Sequence, residues 1–268
     1  MPSRLLKELP EVWAYRLDRS NFGETGVARI NMVKHGKRYD DASSSVDEDR
    51  NYSTEEAVSI VKKNATAKFD ETVEIHLRTG ADPRHADQMV RGVALLPHGV
   101  GKTVRTLVFC QGDAMDVARQ AGADYVGNDD LVKDIQDGWL DFDVTIATPD
   151  MMGKVGRLGQ ILGRRGLMPN PRTGTVVPPE DIGRAVEEAK RGRVEFRLDR
   201  SSIIHSLIGK ASFEEQQLVE NLSTLMDTIL RQRPSGVKGQ FLKSAFLTST
   251  MGPSVPIDVA SLGAITVE

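Results

Sequence analysis

Several stretches of the chain carry residue types that could do chemistry on an anion. Gly101-Lys102-Thr103 has the ending of a phosphate-binding loop, in which backbone N–H groups cradle phosphates and a lysine reaches them. Thr248-Ser249-Thr250 runs into Met251-Gly252-Pro253 and sets small hydroxyl donors and acceptors around a glycine. Such a composition suits contact with a phosphate–sugar backbone; the plainer reading is a turn that ends a strand. Arg184, Lys190, Arg191, Arg193, Arg197 and Arg200 concentrate positive charge in a chain whose formal net charge is −3. A solvated face is the default for such a run, and an anionic partner is the competing reading. No carboxylate pair, His/Cys cluster or G-x-G-x-x-G after a strand stands out, so acid–base catalysis, metal chemistry and dinucleotide binding have no residues to carry them.

The phosphate-loop reading fails on spacing. That loop needs a glycine five positions before Gly101, and Leu96 stands there; it should also open a helix, whereas Thr103–Phe109 reads as a strand. Two close glycines in a proline-bounded loop fit a hinge between domains. An α/β enzyme holding a small phosphorylated ligand at 99–103 is kept as the alternative function. Cys110 ends the apolar run Leu107-Val108-Phe109 and reads as core. His76 falls on the polar side of a strand and reads as solvated.

The 268 residues suffice for about two domains, each with its own core. Apolar residues make up 39%, aromatics 5% and charged residues 27%, with no long block of one sign. The slight acidity argues against a protein that coats nucleic acid non-specifically, because that binding rests on excess Lys and Arg. A single cysteine allows no intrachain disulfide. No apolar run approaches the ~20 residues of a membrane helix, and the N-terminus lacks a signal-peptide core.

The elements that would position these residues follow from patterning. Residues 1–31 look foreign to the rest; either they form an extension or Met32, which opens the basic stretch Met32–Tyr39, is the natural start. Residues 40–52 read as a polar loop. Ser53-Thr-Glu-Glu56 is a capping box ahead of a helix over 54–66. In strand 72–78, Val73, Ile75 and Leu77 point one way and Glu74, His76 and Arg78 the other. Between 103 and 149 strands and helices alternate, with Asn128 capping a helix over 129–137, which argues for a small parallel sheet. A glycine-weakened helix covers 150–162, and another starts at Pro178–Asp181. Residues 193–208 form a hairpin around Asp199-Arg200-Ser201. A second capping box, Ser212-Phe-Glu-Glu215, opens a helix over 213–233. Strand 241–250 alternates poorly, as if both its faces were covered near the end. An α/β unit inserted into a discontinuous α+β domain is the simplest arrangement, with a hinge where the chain crosses near 97–101 and 190–194.

Lys68-Phe-Asp-Glu-Thr72, Arg91-Gly-Val-Ala-Leu-Leu-Pro-His-Gly99, Gly122-Ala-Asp-Tyr-Val-Gly127, Ala147-Thr-Pro-Asp150, Gly163-Arg-Arg-Gly-Leu-Met-Pro-Asn-Pro171 and Thr250-Met-Gly-Pro253 occur in this order. Together, over about residues 32–259, they resemble the L-one family of bacterial large-subunit ribosomal proteins. The resemblance implies an α+β, discontinuous two-domain protein with an open cleft. A split β-α-β domain, an antiparallel sheet with two helices, would comprise 32–99 and 194–268. A Rossmann-like parallel α/β domain would be inserted over 100–193. It further implies binding of large-subunit ribosomal RNA at the mobile stalk beside the tRNA exit site, assistance in releasing deacylated exit-site tRNA, and repression of the protein's own operon mRNA through a similar structure. The family's RNA contacts fall on Lys68, Phe69, Thr72 and Glu74, on Ser244, Thr250, Met251 and Gly252, and on Arg197, Asp199, Arg200 and His205. The resemblance implies no cofactor, metal or membrane partner, a cytoplasmic location on the ribosome, and a monomer off it.

Overall fold

Side-chain alternation assigns each strand its buried face, and the molecule contains two kinds of sheet. The computed structural model describes residues 35–47 and 50–264, the last two through their backbone alone. The expected extension or late start over 1–31 lies outside the described residues. The described chain from Arg38 onward, including all but the first residue of the first helix, belongs to one compact unit.

That helix, α1 (Lys37–Ser43), replaces part of the expected 40–52 loop. It buries no residue, and the hydroxyls of Ser44 and Ser45 donate to the carbonyls of Asp41 and Ala42 at its end. Its polarity is that of an exposed helix. The next helix, α2 (Thr54–Asn64), begins at the expected capping box: the Ser53 hydroxyl accepts from the Glu56 N–H and the Glu56 carboxylate accepts from the Ser53 N–H. It buries Ala57, Val58 and Val61. Strand β1 (Thr72–Thr79) keeps the expected alternation, with Val73, Ile75 and Leu77 fully buried.

After β2 (Arg91–Leu95) the parallel part begins, with β3 (Thr106–Phe109), α3 (Ala114–Gln120), β4 (Tyr125–Gly127), α4 (Asp129–Gln136) and β5 (Val144–Ala147). The sheet order is β4-β3-β5, all parallel. Every residue of β3 is buried. Leu107 and Phe109 enter one core and Val108 and Cys110 another, as a strand covered on both faces requires. Cys110 is therefore core, and burial pushes its thiol pKa up. Asn128 does not cap α4 through its side chain; its Oδ1 instead accepts from Gln111 and Lys154. The expected helix over 150–162 is broken into α5 (Met152–Val155) and α6 (Gly159–Arg164) by a 3-10 turn at Gly156–Leu158. Glycines at 153, 156 and 159 remove the propensity that would hold one continuous helix. Then α7 (Ile182–Gly192) buries Ile182, Ala185, Val186 and Ala189.

The chain returns through β6 (Arg193–Arg197), β7 (Ile203–Lys210), α8 (Glu215–Arg231), β8 (Leu242–Ser249), β9 (Val255–Ile257) and α9 (Val259–Ala264). A four-stranded antiparallel sheet has the order β7-β1-β8-β9, with α2 and α8 packed on it. The large core under that sheet draws on Tyr52–Leu96 and on Val194–Leu262, whereas the two cores of the parallel layer lie within 107–189.

Three sequence expectations fail here for local physical reasons. The 193–208 hairpin is not a ladder: β6 pairs with β2, β7 pairs with β1, and a single bridge, Leu198–Ile204, joins them. The strand β6 needs lies about a hundred residues earlier, which no local pattern reveals. Helix α8 starts at a capping box formed by Glu214 and Gln217, because Ser212 is engaged by Asp70. The poor alternation of β8 comes from a bulge rather than from two covered faces. Arg78 pairs with Ser244 but Thr79 pairs with Leu242, leaving Lys243 as an extra residue. Beyond it the alternation is regular, with Ala245, Leu247 and Ser249 buried and Phe246 exposed.

The two crossings between the layers meet at glycines. The Gly192 carbonyl accepts from the Leu96 N–H at 3.1 Å, and a Cβ on Gly192 would lie 2.3 Å from the Gly99 Cα. With φ +118 at Gly192, only glycine fits there. Buried Asn221 locks the crossing: its Oδ1 accepts from the His98 N–H at 3.0 Å, and its Nδ2 donates to the Gly99 and Ile208 carbonyls.

Candidate nucleic-acid interface

Two turns that lie far apart in sequence are joined by one buried carboxylate. Glu71, 2% exposed, precedes β1. Its Oε1 accepts from the Ala67 N–H at 2.8 Å and its Oε2 from the Met251 N–H at 3.0 Å. Burial is the largest single influence on this carboxyl and pushes its pKa up. The two N–H donors, the neighbouring Ser249 hydroxyl and the charge of Arg38 outweigh burial and hold the pKa below the ordinary value. The Ser249 hydroxyl is buried close by without reaching hydrogen-bond geometry. Thr250 completes the joint: its hydroxyl accepts from the Thr72 N–H at 2.9 Å and donates to the Thr72 carbonyl at 3.3 Å, extending the β1–β8 ladder by one side chain. Lys210 Nζ donates to the Thr72 hydroxyl at 2.8 Å, and Asp70 accepts from both the N–H and the hydroxyl of Ser212.

The product of this joint is a pair of exposed apolar side chains on fixed backbone, Phe69 (55% exposed) and Met251 (51%). A buried carboxylate that spends its acceptors on the two turns is a reason for large apolar residues to stay in water together rather than fold inward. Gly252 follows because the turn is tight; a Cβ there would lie 2.5 Å from the Ser249 Oγ. Lys68 is exposed on the same turn as Phe69.

From the joint, the open face of the antiparallel sheet runs along β1. Register places Glu74 beside Thr248 and Leu207, His76 beside Phe246 and His205, and Arg78 beside Ser244 and Ile203. His76 and His205 meet Nδ1 to Nδ1 at 2.8 Å, so one ring supplies the proton and the other the lone pair. Burial pushes the His76 pKa down and the charge of His205 adds to this, against an opposing pull from Glu74. His205 Nε2 also lies 3.6 Å from Asp199 Oδ2. Asp199 Oδ1 accepts from the N–H groups of Ser201 and Ile203, which fixes the turn carrying Arg200. His76 is thus half-buried and hydrogen-bonded rather than simply solvated.

Most of the residues read as RNA contacts from the resemblance therefore share one surface. Lys68, Phe69, Thr72, Thr250, Met251 and Gly252 form the joint, while Glu74, His205 and Ser244 line the sheet and Asp199 and Arg200 edge it. Arg197 stands apart, on the β2–β6 ribbon directly opposite Arg91. His76 was expected on this face, as a solvated residue, and Phe246 falls in the same alternation as Ser244 and Thr248; Glu71 and Lys210 were not singled out. The acid ahead of an alternating strand was a usable sign for Glu71; Lys210 gave none, since its place depends on pairing across the sheet.

The competing site at 99–103 does not form. Gly101–Thr103 opens no helix, and Lys102 Nζ is paired with Asp143 Oδ1 at 2.7 Å. The hydrogen bond from Lys102 is the main reason the Asp143 pKa is held down to about 2. Among the described residues no helix is long and apolar enough to cross a membrane, and no group of three or more His, Cys, Asp or Glu side chains is placed to hold a metal ion.

Comparison with known proteins shows the family. Residues 61–253 match the pattern of the ribosomal protein L1p/L10e family. A large ribosomal subunit protein uL1 from Dehalococcoides mccartyi is 58% identical over 234 residues, covering 87% of this chain and 99% of its own length. Those from Thermomicrobium roseum and Chloroflexus aggregans are 58% and 56% identical, covering 86% of this chain and 96% and 98% of their own lengths. The matched span contains both turns of the joint and three of the four strands of the antiparallel sheet, β1, β7 and β8, and the chain belongs to the ribosomal protein L1p/L10e family.

Proposed function

We propose that this chain is a structural constituent of the large ribosomal subunit that grips ribosomal RNA through the joint and the open face of the antiparallel sheet. Members of the family are structural ribosomal proteins and not enzymes. The observation that carries the reading is the pair Phe69 and Met251, held outward by Glu71 and Thr250. Exposed apolar groups beside backbone donors and hydroxyls suit RNA recognition by shape, stacking and 2′-hydroxyl contact, which depends less on net charge than counterion release does. The RNA bound is the mobile stalk beside the tRNA exit site. In that place the protein assists release of deacylated tRNA, and it represses its own operon mRNA through a stalk-like structure. It acts as a monomer off the ribosome, in the cytoplasm. Residues 32–99 with 194–268 form the RNA-binding domain and 100–193 the insert; their separate cores support these limits.

Calorimetric titration of a transcribed stalk fragment tests the reading. Phe69→Ala and Met251→Ala each lower affinity by about tenfold or more with the fold intact. Thr250→Val removes the hydroxyl that joins the end of β8 to Thr72 and loosens the turn carrying Met251, so binding weakens by on the order of 1–3 kcal/mol if the hydroxyl or the turn it fixes meets the RNA. Unchanged affinity in all three variants removes the joint from the RNA site. The same variants lose binding to the operon leader mRNA in parallel if one surface serves both RNAs.

A further inference from the structure

Beyond the joint, at the other end of β1, the open face ends in a basic cup of about 370 Å³. Arg78, Arg84, Arg200 and Lys243 line it, with Asp82 its single carboxylate. None of these cations forms an ion pair among the described residues. Asp82 does not neutralise them: its Oδ1 accepts from the Arg84 backbone N–H at 2.9 Å, and its Oδ2 lies 3.9 Å from His85.

Three departures from regular backbone converge on this cup. The β8 bulge inserts Lys243 opposite the end of β1, and a bulge re-aims the side chain it carries. Gly80 lets the chains close: its N–H donates to the Phe241 carbonyl at 2.7 Å, and a Cβ would lie 2.5 Å from the Gln240 carbonyl oxygen and 3.6 Å from Lys243 Cε. Ser202 holds φ 65, a left-handed conformation that costs a residue with a side chain free energy. There its carbonyl accepts from the N–H and the hydroxyl of Thr79, which brings the turn bearing Arg200 against β1. Like charges gathered without counter-ions repel, and strained backbone persists where something else over-determines it. An anion in the cup would offset the repulsion.

We propose that the cup is a second anchor for the RNA, taking phosphodiester groups of the same molecule whose shape is read at the joint. Thr72, which opens β1, and Arg78, next to its last residue, are about 20 Å apart at the rise of an extended strand. The RNA therefore lies along the strand, with the His76–His205–Phe246 row beneath its middle. This rests on the RNA-binding reading above. The joint contributes fit, while the cup contributes the salt-dependent part of affinity.

The test is a salt series with the full chain and the transcribed stalk fragment, plotting log K against log of potassium chloride concentration. Arg78→Gln with Lys243→Gln removes two cations and lowers the magnitude of the slope by about 1.4–1.8, with affinity at moderate salt down about tenfold or more. Arg84→Gln, on an exposed turn, lowers it by about 0.7–0.9 and serves if the paired variant melts early. Phe69→Ala weakens binding with the slope unchanged. If the unmodified chain fails to bind the fragment, the RNA-binding reading falls and the cup with it. If it binds, Phe69→Ala weakens it, and the cup variants keep both slope and affinity, the second anchor alone is overturned.

Discussion

On α7 the cations are matched where they stand. Arg184 Nε lies 2.7 Å from Glu188 and Arg191 Nη2 3.3 Å from Glu187, one helical turn away in each case. Lys190 reaches Asp124 at 3.3 Å and also donates to the Gly122 carbonyl. At the end of β1 the cations come from separate segments, 78–84, 200 and 243, with Asp82 the one carboxylate beside them, and they form no ion pair among the described residues. The first region is dense in the sequence and paired in space; the second is scattered in the sequence, sharing only Arg200 with the basic run, and unpaired in space. An i,i+4 acid four residues away cancels a basic run on a helix, whereas a sheet collects side chains from distant strands without their sequence neighbours. Availability of charge, and not its density, is what an anionic partner meets.

The largest expected effect tests whether charge governs the face at all. Glu71 is an acid in the middle of a surface proposed to bind a polyanion. If electrostatics alone decided affinity, Glu71→Ala would strengthen RNA binding. We expect the reverse. The substitution leaves the part-buried N–H groups of Ala67 and Met251 without their acceptor, at a cost of about 1–3 kcal/mol in stability. It also releases Phe69 and Met251 from their fixed backbone, so affinity for the stalk fragment falls by about a hundredfold or more. Urea unfolding together with the titration reads both quantities. Tighter binding by a destabilised variant would break the comparison, because charge would then outweigh fit.

Such a role for Glu71 bears on how much could be read in advance. The alternation of β1, the caps of α2 and the β-α-β run of 106–147 depend on neighbours within a few residues, and all were legible. The partner of β6 was not, since β2 lies about a hundred residues away and the turn at Asp199 imitates a hairpin. The bulge at Lys243 blurred the β8 pattern, because one inserted residue exchanges the two faces of a strand. At the candidate site, Thr72 and Thr250 could be joined in advance only by family resemblance, since their hydrogen bond spans 178 residues. Of the cup only Arg200 could be read, through the resemblance; its meeting with Arg78, Arg84 and Lys243 depends on a bulge, a left-handed serine and a glycine contact.

A smaller effect comes from Lys102, a third way of placing a cation. It lies on the loop whose sequence imitates a phosphate site, yet Asp143 holds it. The Asp143 pKa is lowered to about 2 from 3.8. Its contribution to stability is therefore present above the unfolded value near 4 and is lost as pH falls through about 2. Asp143→Asn lowers stability at pH 7 by about 1 kcal/mol after allowance for solvent screening. The gap between the variant and the parent narrows between pH 4 and pH 2. Chemical denaturation at pH 7, 4 and 2.5 measures it; a gap independent of pH would mean that Lys102 is not neutralised by Asp143 and would move that loop into the class of available cations.

The smallest expected effect is the most informative about α7. Arg184→Gln with Arg191→Gln removes two cations from the densest basic run of the chain, as Arg78→Gln with Lys243→Gln does from the cup. Formal charge changes equally in the two pairs. On α7 each loss leaves a glutamate facing water one turn away, a geometry in which exposed pairs contribute little. Stalk affinity should stay within about twofold and the salt slope should not move, because no phosphate is released from these side chains. A slope that falls by as much as in the cup variants would show that Glu187 and Glu188 do not withhold these arginines from RNA. The paired helix and the unpaired cup would then be one continuous basic surface, and charge density along the chain would have been the better guide after all.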